Sequence, residues 1–136
     1  MTYTFDTNIV SYFIQSDMGI AKKIREVIAA NNSIVISPVT YFEIRRGFKL
    51  KAAPKKEQGF SRMCTVYPIG EMSLPVWEQA ADIYAACRKS GVTIGDSDIL
   101  IGAFSIVNGY TLVTNNARHF ISISGLKFIV WNPQEL

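Results

Sequence analysis

The chain has few residues of the kinds that build disulfide frameworks, zinc sites or membrane spans. It holds two cysteines, Cys64 and Cys87, and one histidine, His119. Because neither cysteine lies in a C-x-x-C or His-paired spacing, the sequence does not support a disulfide scaffold, a redox motif or a zinc finger. The longest apolar stretch, 99–107, is about half the length needed to cross a bilayer. We therefore expect no membrane span and a cytoplasmic protein.

The composition is that of a folded protein with one core. The 136 residues are 49% hydrophobic and 18% charged, which is ordinary for a globular domain. No repeat, low-complexity tract or Pro/Gly-rich linker divides the chain. We therefore expect a single domain over residues 1–136.

Positive charge is concentrated in one stretch, residues 45–62, which we call the basic segment. It carries seven lysines and arginines against one acid, Glu57, whereas the whole chain has a net charge of only +3. The rest of the chain is therefore net acidic. Such a stretch is either a track for a phosphate backbone or the solvated face of a helix, and composition alone does not decide between the two.

Short apolar runs alternate with segments of helical periodicity along the chain. Strands are predicted at 3–6, 34–36, 66–69, 112–114 and 128–131. Helices are predicted to begin near residues 9, 20, 38, 54, 73, 96 and 117, with Ser37-Pro38 as a clear start signal. This alternation predicts an α/β fold, a three-layer α/β/α sandwich around a central, mostly parallel sheet.

Four acidic or amide residues lie far apart in the chain but at matching places in this pattern. Asp6 closes the first strand, Glu43 lies in the helix after the second, Asp98 opens a late helix, and Asn116 follows the strand that ends at Thr114. Ligands collect beyond the carboxyl ends of parallel strands. Carboxylates gathered there repel one another unless a cation offsets them, and oxygen ligands favour Mg²⁺ or Mn²⁺. The pattern therefore predicts a metal site.

Each of these residues also has an ordinary structural explanation. Asp and Asn, the residue types at positions 6 and 116, are common in turns. Glu43 taken alone would be interpreted as a solvent-facing helix acid. Asp96 and Asp98 both fall in the first turn of a helix, where acids are favoured by unpaired N–H groups. His119 could serve as a general acid, but a metal-dependent site needs no imidazole, and the position before Phe120 is typical of an ordinary surface turn. The matching positions along the chain are what favour a shared site.

Four short motifs together resemble those of a known family. They are Asp6-Thr7-Asn8 after a strand, Pro38-Val39-Thr40 leading to Glu43, Ile94-Gly95 before Asp98-Ile99-Leu100-Ile101-Gly102-Ala103, and Leu112-Val113-Thr114-Asn115-Asn116 before Phe120. In this order and spacing the chain resembles a PIN domain. More narrowly, it is similar to the VapC toxins of bacterial VapBC toxin-antitoxin systems.

The resemblance implies roles for individual residues. By motif position, Asp6, Glu43 and Asp98 would bind the catalytic metal, and Asn116 would complete the site where many PIN domains have Asp. Asp96 departs from the pattern and is either a helix cap or a substitute ligand. Within this mechanism we expect supporting contacts to ligands or phosphate from Thr7, Asn8 and Thr114. We expect RNA contacts from Arg45, Arg46 and Lys49, which follow Glu43 on the same helix; helical spacing makes Arg46 a better candidate than Arg45 to flank Glu43.

The activity implied by the resemblance is endoribonucleolytic cleavage of cellular RNA, a transfer RNA or a ribosomal RNA, with Mg²⁺ or Mn²⁺ as cofactor. A VapB-type antitoxin and a toxin homodimer are the implied partners. Helix faces carrying Ile9, Tyr12, Phe13, Tyr41 and Phe42 suggest extra apolar surface for one of these partners.

Other function classes fit less well or remain open. Aspartate-nucleophile phosphatases need a second Asp two residues after the first, and that position is Asn8. Receiver domains need a paired acid cluster and a late lysine, which the segment at Asn115-Asn116 does not supply. The remaining alternative is a PIN-like module that binds RNA or a partner without catalysis, through loss of the metal site at Asn116.

Overall fold

A computed structural model of the chain describes residues 1–133. Within that range four strands and seven helices follow one another. They are β1 (Thr2–Phe5), α1 (Thr7–Ile14), α2 (Met18–Ala29), β2 (Ser33–Ile34), α3 (Pro38–Leu50), α4 (Pro54–Val66), α5 (Leu74–Lys89), α6 (Asp96–Asn108), β3 (Thr111–Thr114), α7 (Ala117–Phe120) and β4 (Phe128–Val130).

The sheet has the strand order β2-β1-β3-β4, and each of these three strand pairings is parallel. In register, Phe5 at the end of β1 pairs with Val113 of β3. The segments that follow β1 and β3 therefore leave the sheet side by side at its carboxyl edge. The predicted parallel α/β architecture is confirmed.

Helices cover both faces of this sheet. Leu112 and Val113 are consecutive in β3 and so point to opposite faces. Val113 packs with α1, α2, α3 and α4 in one cluster of buried side chains, and Leu112 packs with α5, α6 and α7 in a second cluster. The sheet is thus the middle of three layers.

Capping residues fix where several helices begin. The Asp6, Asp17 and Ser37 side chains accept hydrogen bonds from backbone N–H groups at the starts of α1, α2 and α3. The last helix before β3, α6, ends at Gly109, whose φ of 69° is easily adopted only without a Cβ. These caps place Asp6 and the first turn of α3 at the carboxyl edge.

The predicted strand at 66–69 is wrong. Helix α4 continues to Val66, and Ile69 makes only an isolated parallel bridge with Ile36. Pro68 has no N–H to donate, so this segment cannot extend the sheet regularly. The predicted strand at 34–36 is likewise reduced to Ser33–Ile34 plus that bridge.

In the range 1–133, no helix is both long and apolar enough to span a membrane.

Candidate metal centre

Asp6 lies at the end of β1 and is only 6% exposed. The Thr7 N–H donates to its Oδ1 at 2.7 Å, and the Thr114 hydroxyl donates to its Oδ2 at 2.9 Å. Burial raises the pKa of Asp6 above its ordinary value; these two hydrogen bonds oppose the shift, and the charge of Glu43 adds to it. Both carboxylate oxygens are thus held in fixed directions, in a place that water reaches poorly.

Glu43 approaches the same place from α3. Its Oε1 accepts a hydrogen bond from the Thr7 hydroxyl at 2.7 Å, and its Oε2 lies 3.3 Å from Nη2 of Arg46. The Glu43 side chain is 17% exposed. The Thr40 hydroxyl fixes α3 against β1 by donating to the Phe5 carbonyl at 3.1 Å. Thr7, between Asp6 and Glu43, links the two carboxylates.

Asp98 completes the approach from the first turn of α6. Its Oδ2 lies 2.8 Å from Nδ1 of His119, and its side chain is 21% exposed. Burial is the main cause that raises the pKa of Asp98; His119 opposes the shift, whereas the charges of Asp6 and Glu43 add to it. The structure therefore brings Asp6, Glu43 and Asp98 within electrostatic reach of one another, and we call them the acid cluster.

The donor chemistry of the acid cluster suits a hard divalent cation. Three carboxylates supply only oxygen ligands, and two of them have a pKa raised by burial and by like charge, the situation that a bound cation relieves. Among residues 1–133, however, no three His, Cys, Asp or Glu side chains are grouped closely enough to hold an ion as they stand. Arg46 and His119 occupy one oxygen each of Glu43 and Asp98.

The remaining predicted site residues differ in how they relate to the acid cluster. Thr114 donates to Asp6 and also accepts a hydrogen bond from the Asn116 N–H at 2.9 Å. Asn8 is exposed, and its amide donates to Asn115 Oδ1 at 3.4 Å. Asp96 is exposed in the first turn of α6, and the charges that shift the pKa of Asp98 do not include it.

His119 is the residue that sequence reasoning set aside and the structure brings into the site. It lies in α7, and its ring contacts both Asp98 and Asn116, whose amide nitrogen is 3.0 Å from Nε2. The signal available in the sequence was weak. It is the only histidine in the chain, three residues after Asn116, a spacing at which helical side chains are neighbours.

The two arginines after Glu43 have different environments. The Arg45 guanidinium lies 5.3 Å from the Tyr41 ring centre and 5.1 Å from that of buried Phe60, and Nη2 is 3.3 Å from the Ser61 hydroxyl. Arg45 therefore joins α3 to α4. Arg46 is 57% exposed and packs over Phe42 beside Glu43. Lys49 is exposed in the last turn of α3.

Much of the apolar surface expected for a partner is buried or partly buried against the core. Ile9 is fully buried, and Tyr12, Phe13 and Tyr41 pack against the cluster beneath α1 to α4. Only Phe42 of this group, at 58% exposure, faces solvent. Tyr41 and Phe42 are consecutive in α3 and point about 100° apart, so one packs against the core and the other faces solvent.

The fold and the acid cluster define a class of protein: a parallel α/β sandwich with a carboxylate site beyond the ends of its central strands. The family model described as PIN domain matches residues 3–126. The chain therefore belongs to the PIN-domain family.

Similar proteins carry the VapC name. Ribonuclease VapC2 of Rickettsia felis is 30% identical over 135 residues, covering 97% of this chain and 99% of the relative. Ribonuclease VapC1 of Haemophilus influenzae strain R2866 is 25% identical, covering 96% and 98%. The structure of VapBC2 from Rickettsia felis bound to a promoter DNA fragment matches with a TM-score of 0.88 at 27% identity, covering 97% of this chain and 100% of the matched chain. Within the family, this chain is thus similar to the VapC ribonucleases over nearly its whole length.

Proposed function

We propose that this protein is a VapC-type toxin, a metal-dependent endoribonuclease that cuts cellular RNA in the cytoplasm. The observation that carries the proposal is the acid cluster. Three carboxylates separated by 37 or more positions in the chain meet at the carboxyl edge of the sheet, and two of them have a raised pKa. Relatives named as VapC ribonucleases support the same reaction.

Asp6, Glu43 and Asp98 would hold Mg²⁺ or Mn²⁺, the cofactor that we propose. The bound ion would supply an activated water and stabilise the leaving oxygen of the scissile phosphodiester. Thr7 and Thr114 direct the oxygens of Asp6 and Glu43 through their hydroxyls. We thus assign the three carboxylates as metal ligands and the two threonines as residues that orient them.

We assign phosphate binding to the exposed part of α3. Arg46 lies beside Glu43, with its guanidinium 5.2 Å from the centre of the exposed Phe42 ring, and Lys49 follows at the helix end. A guanidinium next to the acid cluster suits a phosphate of an RNA strand entering the site. We assign Arg45 to the packing of α3 on α4, because its guanidinium is stacked on Tyr41 and Phe60.

A VapB-type antitoxin is the proposed partner, since the similar structure from Rickettsia felis is described as VapBC2. We propose a toxin homodimer as well. Helix α5 exposes Leu74, Trp77 and Tyr84, at 72%, 50% and 46%, and this apolar surface would be covered in a dimer. Light scattering should then give the mass of a monomer for Trp77→Glu. A dimer mass equal to that of the unmodified protein would exclude this face as the interface.

The RNA substrate is proposed to be a transfer RNA. The test is cleavage of total bacterial RNA by the purified protein with Mg²⁺, with Mn²⁺ and with EDTA, followed by sequencing of the product ends. Discrete cuts are expected only with metal, and Asp6→Asn should lose them. Asp82→Asn, an exposed acid on α5, is the matched control and should cut normally.

Two results would redirect the proposal. Discrete cuts in ribosomal RNA alone would replace the transfer RNA as substrate. No cleavage by the folded, antitoxin-free protein would favour the non-catalytic PIN-like binding module, in which Asn116 stands where many PIN domains have an acid.

A further inference from the structure

His119 lies between two residues of the candidate metal centre and contacts each with a different ring nitrogen. Nδ1 is 2.8 Å from Asp98 Oδ2, and Nε2 is 3.0 Å from the amide nitrogen of Asn116. The ring is about half exposed, at 51%. Through these two contacts the ring links Asp98 of α6 to Asn116, the residue before α7.

The two contacts are compatible with one placement of the ring proton. An ionised carboxylate only accepts hydrogen bonds, so Nδ1 must carry the proton that Asp98 accepts. With the amide nitrogen of Asn116 facing the ring, its NH₂ group donates and Nε2 is the unprotonated nitrogen that accepts. The neutral Nδ1–H tautomer satisfies both partners.

The backbone of Asn116 is held in place independently of the ring. Its N–H donates to the Thr114 hydroxyl oxygen at 2.9 Å, and the same hydroxyl donates to Asp6 at 2.9 Å. The residue that precedes α7 is therefore fixed relative to the acid cluster. An aspartate at position 116 could not donate to Nε2, so the amide suits the histidine three residues later.

We propose that Asn116 and His119 form a positioning pair, in which Asn116 selects the Nδ1–H tautomer of His119 and His119 orients the carboxylate of Asp98. Asn116 then acts on the metal centre through His119 and is not itself a ligand. Partners that orient ligating side chains typically change metal affinity by about 10- to 100-fold when they are removed. The metal part of this inference rests on the proposed function, whereas the tautomer part stands without it.

The tautomer can be observed directly. Protein labelled with ¹⁵N-histidine contains one imidazole, so long-range ¹H–¹⁵N spectra report its two nitrogens without assignment. We expect the Nδ1–H pattern in the metal-free protein, and loss of that preference in Asn116→Ala. Arg118→Ala, an exposed neighbour on α7, is the control and should keep the pattern. A dominant Nε2–H tautomer or a doubly protonated ring would overturn the tautomer part.

The positioning role is tested by calorimetric titration of the protein with Mn²⁺. His119→Ala and Asn116→Ala should each bind about 10- to 100-fold more weakly than the unmodified protein, with Arg118→Ala unchanged. The double variant should bind no more weakly than His119→Ala, because the two residues act in series. A further loss in the double variant would make Asn116 a direct ligand and contradict the inference.

A conservative variant separates orientation from mere packing. His119→Asn places an amide donor near the position of Nδ1, whereas His119→Ala leaves no donor, so His119→Asn should recover part of the Mn²⁺ affinity. Equal affinity in both variants would argue against the orienting hydrogen bond. If the unmodified protein binds no divalent ion, the proposed function and the metal part fail together, and the tautomer spectrum still decides the remaining part.

Discussion

The acid cluster and the basic segment differ in how distance along the sequence relates to distance in the structure. Asp6, Glu43 and Asp98 are far apart in the sequence and meet at one edge of the sheet. The basic segment is continuous in the sequence, yet its arginines separate: Arg45 stacks between α3 and α4, whereas Arg46 turns to Glu43. Charge density along a chain is therefore a poor guide to charge density on a surface.

The physical difference lies in what fixes each side chain. Parallel pairing of β1 with β3 places Asp6 beside Thr114 at the carboxyl edge, and the packing of α3 and α6 brings Glu43 and Asp98 to the same edge. Consecutive residues on a helix point about 100° apart, so Arg45 and Arg46 cannot share one environment. Topology gathers the acids, and helix geometry separates the arginines.

The largest expected effect is on the acid cluster. Asp98→Asn should lower RNA cleavage by about 100-fold or more, because it removes one of the charges that would bind the metal. Single-turnover cleavage with Mn²⁺ measures the loss, and circular dichroism checks the fold. Asp82→Asn serves as the control; activity near that of the unmodified protein in Asp98→Asn would remove Asp98 from the ligand set.

Substitutions of the two arginines should affect different properties, RNA binding for Arg46 and stability for Arg45. Arg46→Ala should weaken RNA binding several-fold and make its salt dependence shallower by about one unit of slope, since one phosphate contact is lost. Titrations at several salt concentrations measure this. An unchanged slope of RNA affinity against salt concentration would show that Arg46 makes no phosphate contact.

Arg45→Ala should instead reduce stability by about 1–2 kcal/mol, because the stacking over Tyr41 and Phe60 is lost. Urea denaturation of both arginine variants gives the comparison. The contrast breaks down if Arg45→Ala unfolds at the same urea concentration as the unmodified protein, or if Arg46→Ala is the less stable variant.

A smaller effect is expected on the stability of the metal-free protein. Burial raises the pKa of Asp6 in the folded state, so the ionised carboxylate opposes folding above that pKa and ceases to do so below its unfolded value. Asp6→Asn should therefore melt about 2–4 °C higher at neutral pH. The gap from the unmodified protein should narrow as the pH falls through this window. A lower melting temperature in Asp6→Asn would show that the hydrogen bonds from Thr7 and Thr114 outweigh the burial.

The smallest effect is expected at Asp96. This residue is exposed in the first turn of α6, where an acid contributes under about 1 kcal/mol through the helix N-terminus. Asp96→Asn should therefore keep cleavage within about threefold and lose little stability. A loss as large as that of Asp98→Asn, in the same cleavage assay, would make Asp96 a ligand and extend the acid cluster.

The sequence by itself determined the order of most elements and the parallel fold. Local signals sufficed for this: Ser37-Pro38 starts α3, Gly109 ends α6, and apolar runs mark β1 and β3. Local signals also misled at 66–69, where the helix periodicity of α4 and the missing N–H of Pro68 prevailed over a β-rich composition. The positions of the candidate acids followed from the same alternation of strands and helices.

Only the tertiary structure decided which side chains touch. The Thr114 hydroxyl reaches Asp6 across 108 positions, and the Thr7 hydroxyl reaches Glu43 across 36. Such contacts depend on strand register and on the rotation of each helix about its axis, which no short motif encodes. For the same reason the sequence could not show that Arg45 stacks on Tyr41 and Phe60, nor that the ring of His119 links Asp98 to Asn116.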